Sequence, residues 1–286
     1  MTESNGSDTN GFPRHARPRA LTSRQERKLL DYLDENFLQL TRNFKKRSDE
    51  SSTLRTLGAY LEESRRLLAF ILQIPPIDPS TSLRISYMLR LTGEALTSIP
   101  GYRLGAALPS GRDGASTDSG GGMRAALQDL VDFLDDLDQA WLAVLKGQAW
   151  DPASSEGVDV AFPNDVAMDL TDDPPPATNG IAPKTAPTLK TSPPTQTDLT
   201  RLRSLLLAGE SRLEEWLTNE RNPVGDNENA ADALVEVEDV SAMLDRMGLL
   251  EDFDSLFVRT LDYLGGFGSD IAQNVVHPEP EAEMIE

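Results

Sequence analysis

Apolar residues recur at three- and four-residue steps in seven stretches of the chain, the spacing that lays one face of an α-helix against a core. Leu29, Leu33, Phe37, Leu40 and Phe44 mark a helix over 22–47. It is opened by Thr22 with Gln25 three residues on, the spacing of a capping box. Leu54, Leu57, Leu61, Ser64, Leu68, Ile71 and Leu72 predict a second over 53–73, and Leu83, Tyr87, Met88, Leu91, Ala95 and Ile99 a third over 80–99. Between them Pro75 and Pro76 each remove a backbone donor and push the preceding residue out of the α region, so the second helix must end near Gln73. Ser80 stands where an N-cap for the third is expected. Two helices joined by so short a connection lie antiparallel and leave apolar faces that further helices must cover.

Leu127, Leu130, Leu134, Leu137, Trp141 and Leu145 predict the fourth helix over 123–146. Leu199, Leu202, Leu206, Leu213, Trp216 and Leu217 predict a fifth over 198–220, with Asp198 as its N-cap. Leu234, Val237, Val240, Met243, Leu244 and Met247 give a sixth over 229–247, closed by Gly248. Phe253, Leu256, Phe257, Leu261 and Leu264 give a seventh over 251–264, ending at Gly265-Gly266. Strand-like alternation is almost missing. The expected fold is all-α, a bundle of about seven helices with a Pro-rich linker and disordered termini. Three short C-terminal helices would enclose a small core alone, so they are expected to dock on the N-terminal four. The organisation reads as a disordered basic arm at 1–20, a helical bundle at 21–147, a disordered linker at 148–197, the docking C-terminal helices at 198–267 and an acidic tail at 268–286. The linker reading rests on Pro152, Pro163, Pro174-Pro175-Pro176, Pro183, Pro187 and Pro193-Pro194 among Ser, Thr, Ala and Asp. Gly101 to Gly122 reads as a flexible loop.

Charge divides the chain. Residues 1–128 hold 18 Lys and Arg against 14 Asp and Glu, whereas residues 129–286 hold 9 against 33, within an overall net charge of −20. The second half therefore repels nucleic acid and attracts basic partners wherever its acids lie at the surface. Cations gather at Arg14, Arg17 and Arg19 in the arm and at Lys45, Lys46 and Arg47. These are the candidate nucleic-acid or nuclear-import contacts, although cations at a helix C-terminus also answer its dipole. Phosphate affinity comes mainly from cation contacts, so this balance predicts weak nucleic-acid binding.

Catalytic signatures are not found. The chain has no cysteine, which excludes thiolate chemistry, and two histidines, His15 and His277, whose place in segments read as flexible argues against imidazole chemistry. Asp129, Asp132, Asp135, Asp136 and Asp138 lie along a helix, where an oxygen-ligand calcium loop would need a glycine turn and alternating ligands. No Gly-x-x-x-x-Gly-Lys-Ser/Thr, Gly-x-Ser-x-Gly, His-Glu-x-x-His or dinucleotide fingerprint occurs. We therefore expect no catalytic residue, no cofactor and no metal, and no apolar run long enough to span a membrane or direct secretion.

The stretch Leu29-Leu30-Asp31-Tyr32-Leu33-Asp34-Glu35 with Phe44-Lys45-Lys46-Arg47, then Ile71-Leu72-Gln73-Ile74-Pro75-Pro76-Ile77-Asp78-Pro79-Ser80 and Ser98-Ile99-Pro100-Gly101-Tyr102, resembles a poorly characterised fungal family of small helical proteins. The resemblance covers roughly residues 21–105. Some members carry labels tying them to meiotic recombination, which would imply an accessory role, since the phosphate-binding loop of a recombinase ATPase is missing here. The expectation is a non-enzymatic helical adaptor or scaffold working through contacts with protein partners inside the cell, more in the nucleus than the cytoplasm. A chromatin or nucleic-acid-associated factor using the basic arm, and a peripheral membrane-surface regulator, are the alternatives. The last would need a basic amphipathic helix, whereas the amphipathic stretches here are flanked by acid. A hydrolase would need a buried, perturbed carboxylate.

Overall fold

The computed structural model describes residues 19–104, 119–160, 190–221 and 240–273. Most of the basic arm, the glycine-rich loop from 105, the bulk of the linker, the start of the sixth predicted helix and the acidic tail lie outside them. Among the described residues the chain is all-α apart from one short hairpin. Its helices are α1 (Ser23–Lys45), α2 (Leu57–Leu72), α3 (Ser80–Ser98, continued by a 3₁₀ turn at Ile99–Gly101), α4 (Ser119–Leu145), α5 (Gln196–Arg221), α6 (Val240–Met247), α7 (Leu250–Asp254) and α8 (Val258–Gln273).

α3 lies in the middle, with α1, α2, α4 and α5 all packed against it. Its buried residues include Ile85, Met88, Leu89, Leu91, Ala95 and Leu96, which point in several directions around the axis. α1 meets it through the stacked rings of Phe37 and Tyr87, 5.8 Å apart, and through Asp34, which accepts from Tyr87 Oη at 3.0 Å and from Arg90 at 2.7 Å. α4 drives Trp141 into the core, where its Nε1–H donates to Thr92 Oγ1 at 2.8 Å. α5 crosses closely at Gly209, where a Cβ would fall 2.5 Å from the Leu96 side chain and force it to shift. Trp216 of α5 then donates to the Tyr102 carbonyl at 2.9 Å. Tyr102 Oη donates to the Leu54 carbonyl at 3.1 Å. A single apolar cluster thus runs from Leu33 of α1 to Leu264 of α8. Burial of each large side chain in it contributes about 1.5–3 kcal/mol.

Several helix ends differ from expectation. The Thr22–Gln25 capping box is present as predicted. Gly248 likewise closes α6 with φ +68°, its N–H donating to Asp245 and that of Leu249 to Leu244, the two bonds of a Schellman motif. The cap of α5, however, is Thr195, whose hydroxyl accepts from Asp198 N–H while Asp198 Oδ2 accepts from Thr195 N–H. Asp198 is thus the third helical residue, completing a reciprocal box one turn earlier than predicted. Ser80 is not the cap of α3 either; Pro79 occupies that position and offers no side-chain bond.

The segment 251–264 is not one helix. It breaks after Asp254, and buried Phe257 takes φ +55° before α8 begins. Left-handed backbone costs a non-glycine residue roughly 1–2 kcal/mol, offset here by insertion of the ring into the core. α8 then runs through Gly265 and Gly266 instead of stopping at them, and α4 starts at Ser119, inside the stretch read as loop. The stretch 148–197 is not linker throughout: β1 (Ala149–Asp151) and β2 (Glu156–Val158) pair antiparallel. Residues 190–192 also lie along the α2–α3 loop. There the Asp78 N–H donates to the Lys190 carbonyl at 2.9 Å, Thr191 Oγ1 to the Pro76 carbonyl at 2.7 Å and Ser192 Oγ to Asp78 at 2.6 Å.

Replacing Thr92 by Val keeps the shape but leaves the buried Trp141 Nε1–H without an acceptor. Urea unfolding of Thr92→Val should show a loss of about 1–3 kcal/mol; an unchanged midpoint would show that the tryptophan is held by packing alone.

Candidate functional site

A cleft of about 470 Å³ lies between α4 and the α7–α8 junction. α4 supplies Gln128, Val131, Asp132, Asp135, Asp136 and Asp138, and Asp252, Ser255, Leu256, Phe257 and Arg259 face them. Val131, Leu256 and Phe257 are buried apolar residues, so an apolar floor lies beneath an acidic wall. Steps of three and four residues along α4 put Asp132, Asp135 and Asp136 on neighbouring turns of one helix face.

Asp138 is the structural pivot. Only 2% exposed, it projects to the N-terminus of α8, where Oδ1 accepts from Thr260 N–H at 3.0 Å and Oδ2 from Arg259 N–H at 3.3 Å. These are second and third residues of α8, whose amides have no carbonyl in their own helix. α4 therefore caps α8 in trans, through a residue placed on its buried stripe between Leu134 and Trp141. Thr260 Oγ1 donates back to the Asp138 carbonyl at 3.2 Å. Burial pushes the Asp138 carboxyl above the ordinary range, and the bonds from Thr260 and Arg259 pull it back only in part. The oxygens are committed to α8, which leaves them poorly placed for acid-base work on a substrate.

The cleft's cation is Arg259, paired with Asp135 and 3.6 Å from Asp138. From α2, Arg65 bonds Asp129 at 2.7 Å and approaches Asp136 at 3.6 Å. Partial burial, against the attraction of Arg65 and reinforced by Asp135 and Asp132, raises the Asp136 carboxyl. Glu210 of α5 is raised too, by burial and then by the charge on Asp138. No group of three or more acidic or histidine side chains among the described residues is placed to hold a metal ion. The aspartates are spread along α4 instead of converging on a point.

Of the predicted basic contacts, Arg14 and Arg17 lie outside the described residues, while Arg19, Lys45 and Lys46 are exposed. Arg47 turns inward: its Nε donates to the Gly101 carbonyl at 2.9 Å and its guanidinium lies 4.4 Å from the Phe44 ring centroid. It joins the end of α1 to the end of α3. In the sequence Asp138 is one more acid in an acidic helix, and its role at α8 is not visible in the motif pattern. Its place on the apolar stripe was the available signal. Among the described residues no helix is long and apolar enough to cross a membrane.

Compared with protein-family models, with curated proteins and with solved structures, the chain matches none.

Asp138→Ala should cost about 2 kcal/mol as α8 loses its cap, and Asp138→Asn, which keeps an acceptor, should cost less. Asp136, Asp138 and Glu210 are all raised in the folded state, so the native chain holds protons that the unfolded chain has released. Stability should therefore fall as pH rises from the ordinary carboxylate value, about 4, through the raised folded values. Asp78, lowered chiefly by the Ser192 hydroxyl, acts oppositely only at lower pH. Melting temperature should be higher at pH 5 than at pH 7, with a smaller difference in Asp138→Asn; a flat profile would contradict these directions.

Proposed function

We propose that the chain is a non-enzymatic helical adaptor whose cleft between α4 and the α7–α8 junction receives a basic segment of a protein partner. The observation that carries this reading is the charge imbalance over an apolar floor: five aspartates, Asp132, Asp135, Asp136, Asp138 and Asp252, line the cleft with the single arginine Arg259. Such a wall focuses a negative field into a concave, partly desolvated space. It would attract Lys and Arg, and the floor of Val131 and Leu256 would take apolar side chains placed between them. Net charge of −20 reinforces the field at long range.

The setting we propose, accessory to meiotic recombination in the nucleus, draws on the sequence resemblance over residues 21–105. Exposed Lys45 and Lys46 favour a second reading, a supplementary contact with nucleic acid at the end of α1. Two lysines supply little counterion release, so this contact would assist and not replace the protein interface.

The test is affinity capture with the wild-type chain and with an Asp132→Asn/Asp136→Asn variant, followed by direct titration of each recovered partner. Asp132 and Asp136 have no part in capping α8, so the variant should keep its fold. A partner should bind wild type at least tenfold more tightly, through a segment rich in Lys and Arg, and the difference should shrink at 0.5 M salt as screening shortens to about 3–5 Å. Equal affinity for both proteins would remove the cleft from the account.

A further inference from the structure

Residues 190–195 lead into α5 as irregular backbone, and the first three of them lie as a strap across the α2–α3 loop. One carboxylate holds the strap in place. Asp78 Oδ2 accepts from Ser192 Oγ at 2.6 Å and Oδ1 from the Ser192 N–H at 3.3 Å. The Asp78 N–H donates in return to the Lys190 carbonyl at 2.9 Å, and Thr191 Oγ1 donates to the Pro76 carbonyl at 2.7 Å. The strap also passes Gly147, just beyond α4, where a Cβ would fall 3.0 Å from the Thr191 methyl group. The Ser192 hydroxyl is the chief cause that lowers the Asp78 carboxyl, so the acceptor on which the strap depends is an ionised carboxylate at neutral pH.

Ser192 is exposed and is followed by Pro193-Pro194. Among the 19 prolines of the chain, Pro193 alone follows a serine or threonine. A proline at that position removes a backbone donor and disfavours helical backbone at Ser192, so the hydroxyl is presented from an extended stretch, the form in which a peptide enters a kinase cleft. A phosphate placed on it would carry a charge of about −1.5 to −2 at pH 7, directly beside the Asp78 carboxylate. Charges about 4 Å apart repel by a factor of about five per unit pair even with full water screening, on the order of tenfold to thirtyfold for such a phosphate. Lys190 is the cation whose charge is felt at Asp78, and one lysine cannot offset both anions. The start of α5 offers the phosphate no cradle, since Thr195 and the Asp198 carboxylate already cap it.

We infer that Ser192 is a phosphorylation site for a proline-directed protein kinase, and that its phosphate undocks residues 190–192 from the α2–α3 loop. In the transfer Ser192 Oγ bonds to the γ-phosphorus of a nucleoside triphosphate and the bond from that phosphorus to the β,γ-bridging oxygen breaks. A nucleoside diphosphate leaves, and the hydroxyl proton passes to the catalytic carboxylate of the kinase. The kinase acts on the strap in its locally opened form, because the hydroxyl must first leave Asp78. Closure is then opposed twice: the phosphoserine Oγ has no proton left to donate, and the phosphate repels the carboxylate. The caps of α5 and the core around α3 keep their own contacts, so the change is confined to the strap. The inference does not rest on the adaptor reading, and the acidic cleft plays no part in it.

The full chain is incubated with ATP and a purified kinase of the mitogen-activated class, and in parallel with one of the cyclin-dependent class, and modified residues are mapped by mass spectrometry. Phosphate should enter at Ser192, and Pro193→Ala should slow its incorporation at least tenfold. Hydrogen exchange then reads the strap through the Asp78 amide, which donates to Lys190 and should exchange at least tenfold faster in the phosphorylated chain. Ser192→Ala, which loses the hydroxyl donor without gaining charge, should speed that exchange by less. Asp78→Asn removes the repulsion, so phosphorylation should accelerate exchange of its residue 78 amide at least threefold less than in the wild type. No phosphate at Ser192 with either kinase, an undiminished rate in Pro193→Ala, an Asp78 amide indifferent to phosphorylation, or an equal acceleration in Asp78→Asn would overturn the assignment.

Discussion

Burial of most of the circumference of α3, all but the face that carries Ser82, Ser86, Arg90 and Thr97, is the constraint from which the rest of the architecture follows. A helix with one apolar stripe can leave its other polar groups to water, but α3 has α1, α2, α4 and α5 around it, so each of its buried polar side chains must find an internal partner or cost stability. Thr92 meets that demand by donating to the Met88 carbonyl at 2.9 Å and accepting from Trp141. Tyr87 does so through Asp34. Ser80, Thr81 and Arg84, at the helix start, are where the demand is not met in full.

α4 uses one residue type for two purposes. Asp138 turns inward and supplies the acceptors that α8 lacks at its own N-terminus, while Asp132 and Asp136, a few residues away, remain at the wall of the cleft. Burial is the main cause of the raised carboxyls at both Asp136 and Asp138. The bonds from Thr260 and Arg259 offset it in part at Asp138, whereas at Asp136 the attraction of Arg65 offsets it and the charges of Asp135 and Asp132 add to it. Crowding of like charge without convergence on a point is poor metal chemistry and good long-range attraction for cations.

Helices were legible because their stripes repeat within a few residues. Leu33, Phe37 and Leu40, or Leu202, Leu206 and Leu213, announce a buried face through local spacing, and all six are buried. The features that shape the candidate sites depend on partners more than 60 residues away, and local spacing carries no trace of them. Ser192 reaches Asp78, and Asp138 reaches Thr260. Ser80 illustrates the limit: it has the right residue type for a cap, but cis Asp78-Pro79 precedes it and Pro79 takes the position. The hairpin at 149–158 was hidden by its length, three residues a strand beside a proline-rich run. Spacing places Phe257 correctly in the core and wrongly in a helix, because periodicity reports which face a side chain takes and not the backbone angle that brings it there.

The central claim is that α5 and α8 complete the core around α3 and α4, Leu206 and Trp216 covering one and Phe257 and Thr260 seated against the other. Its most direct test is urea unfolding of a fragment ending at residue 160 beside the full chain, followed by tryptophan fluorescence. The fragment keeps Trp141 but loses the cover over Leu96 and the partner of Asp138. It should unfold with a markedly lower midpoint and a broad transition. A fragment whose transition coincides with that of the full chain would show that residues 19–160 hold a self-sufficient core and would contradict the account.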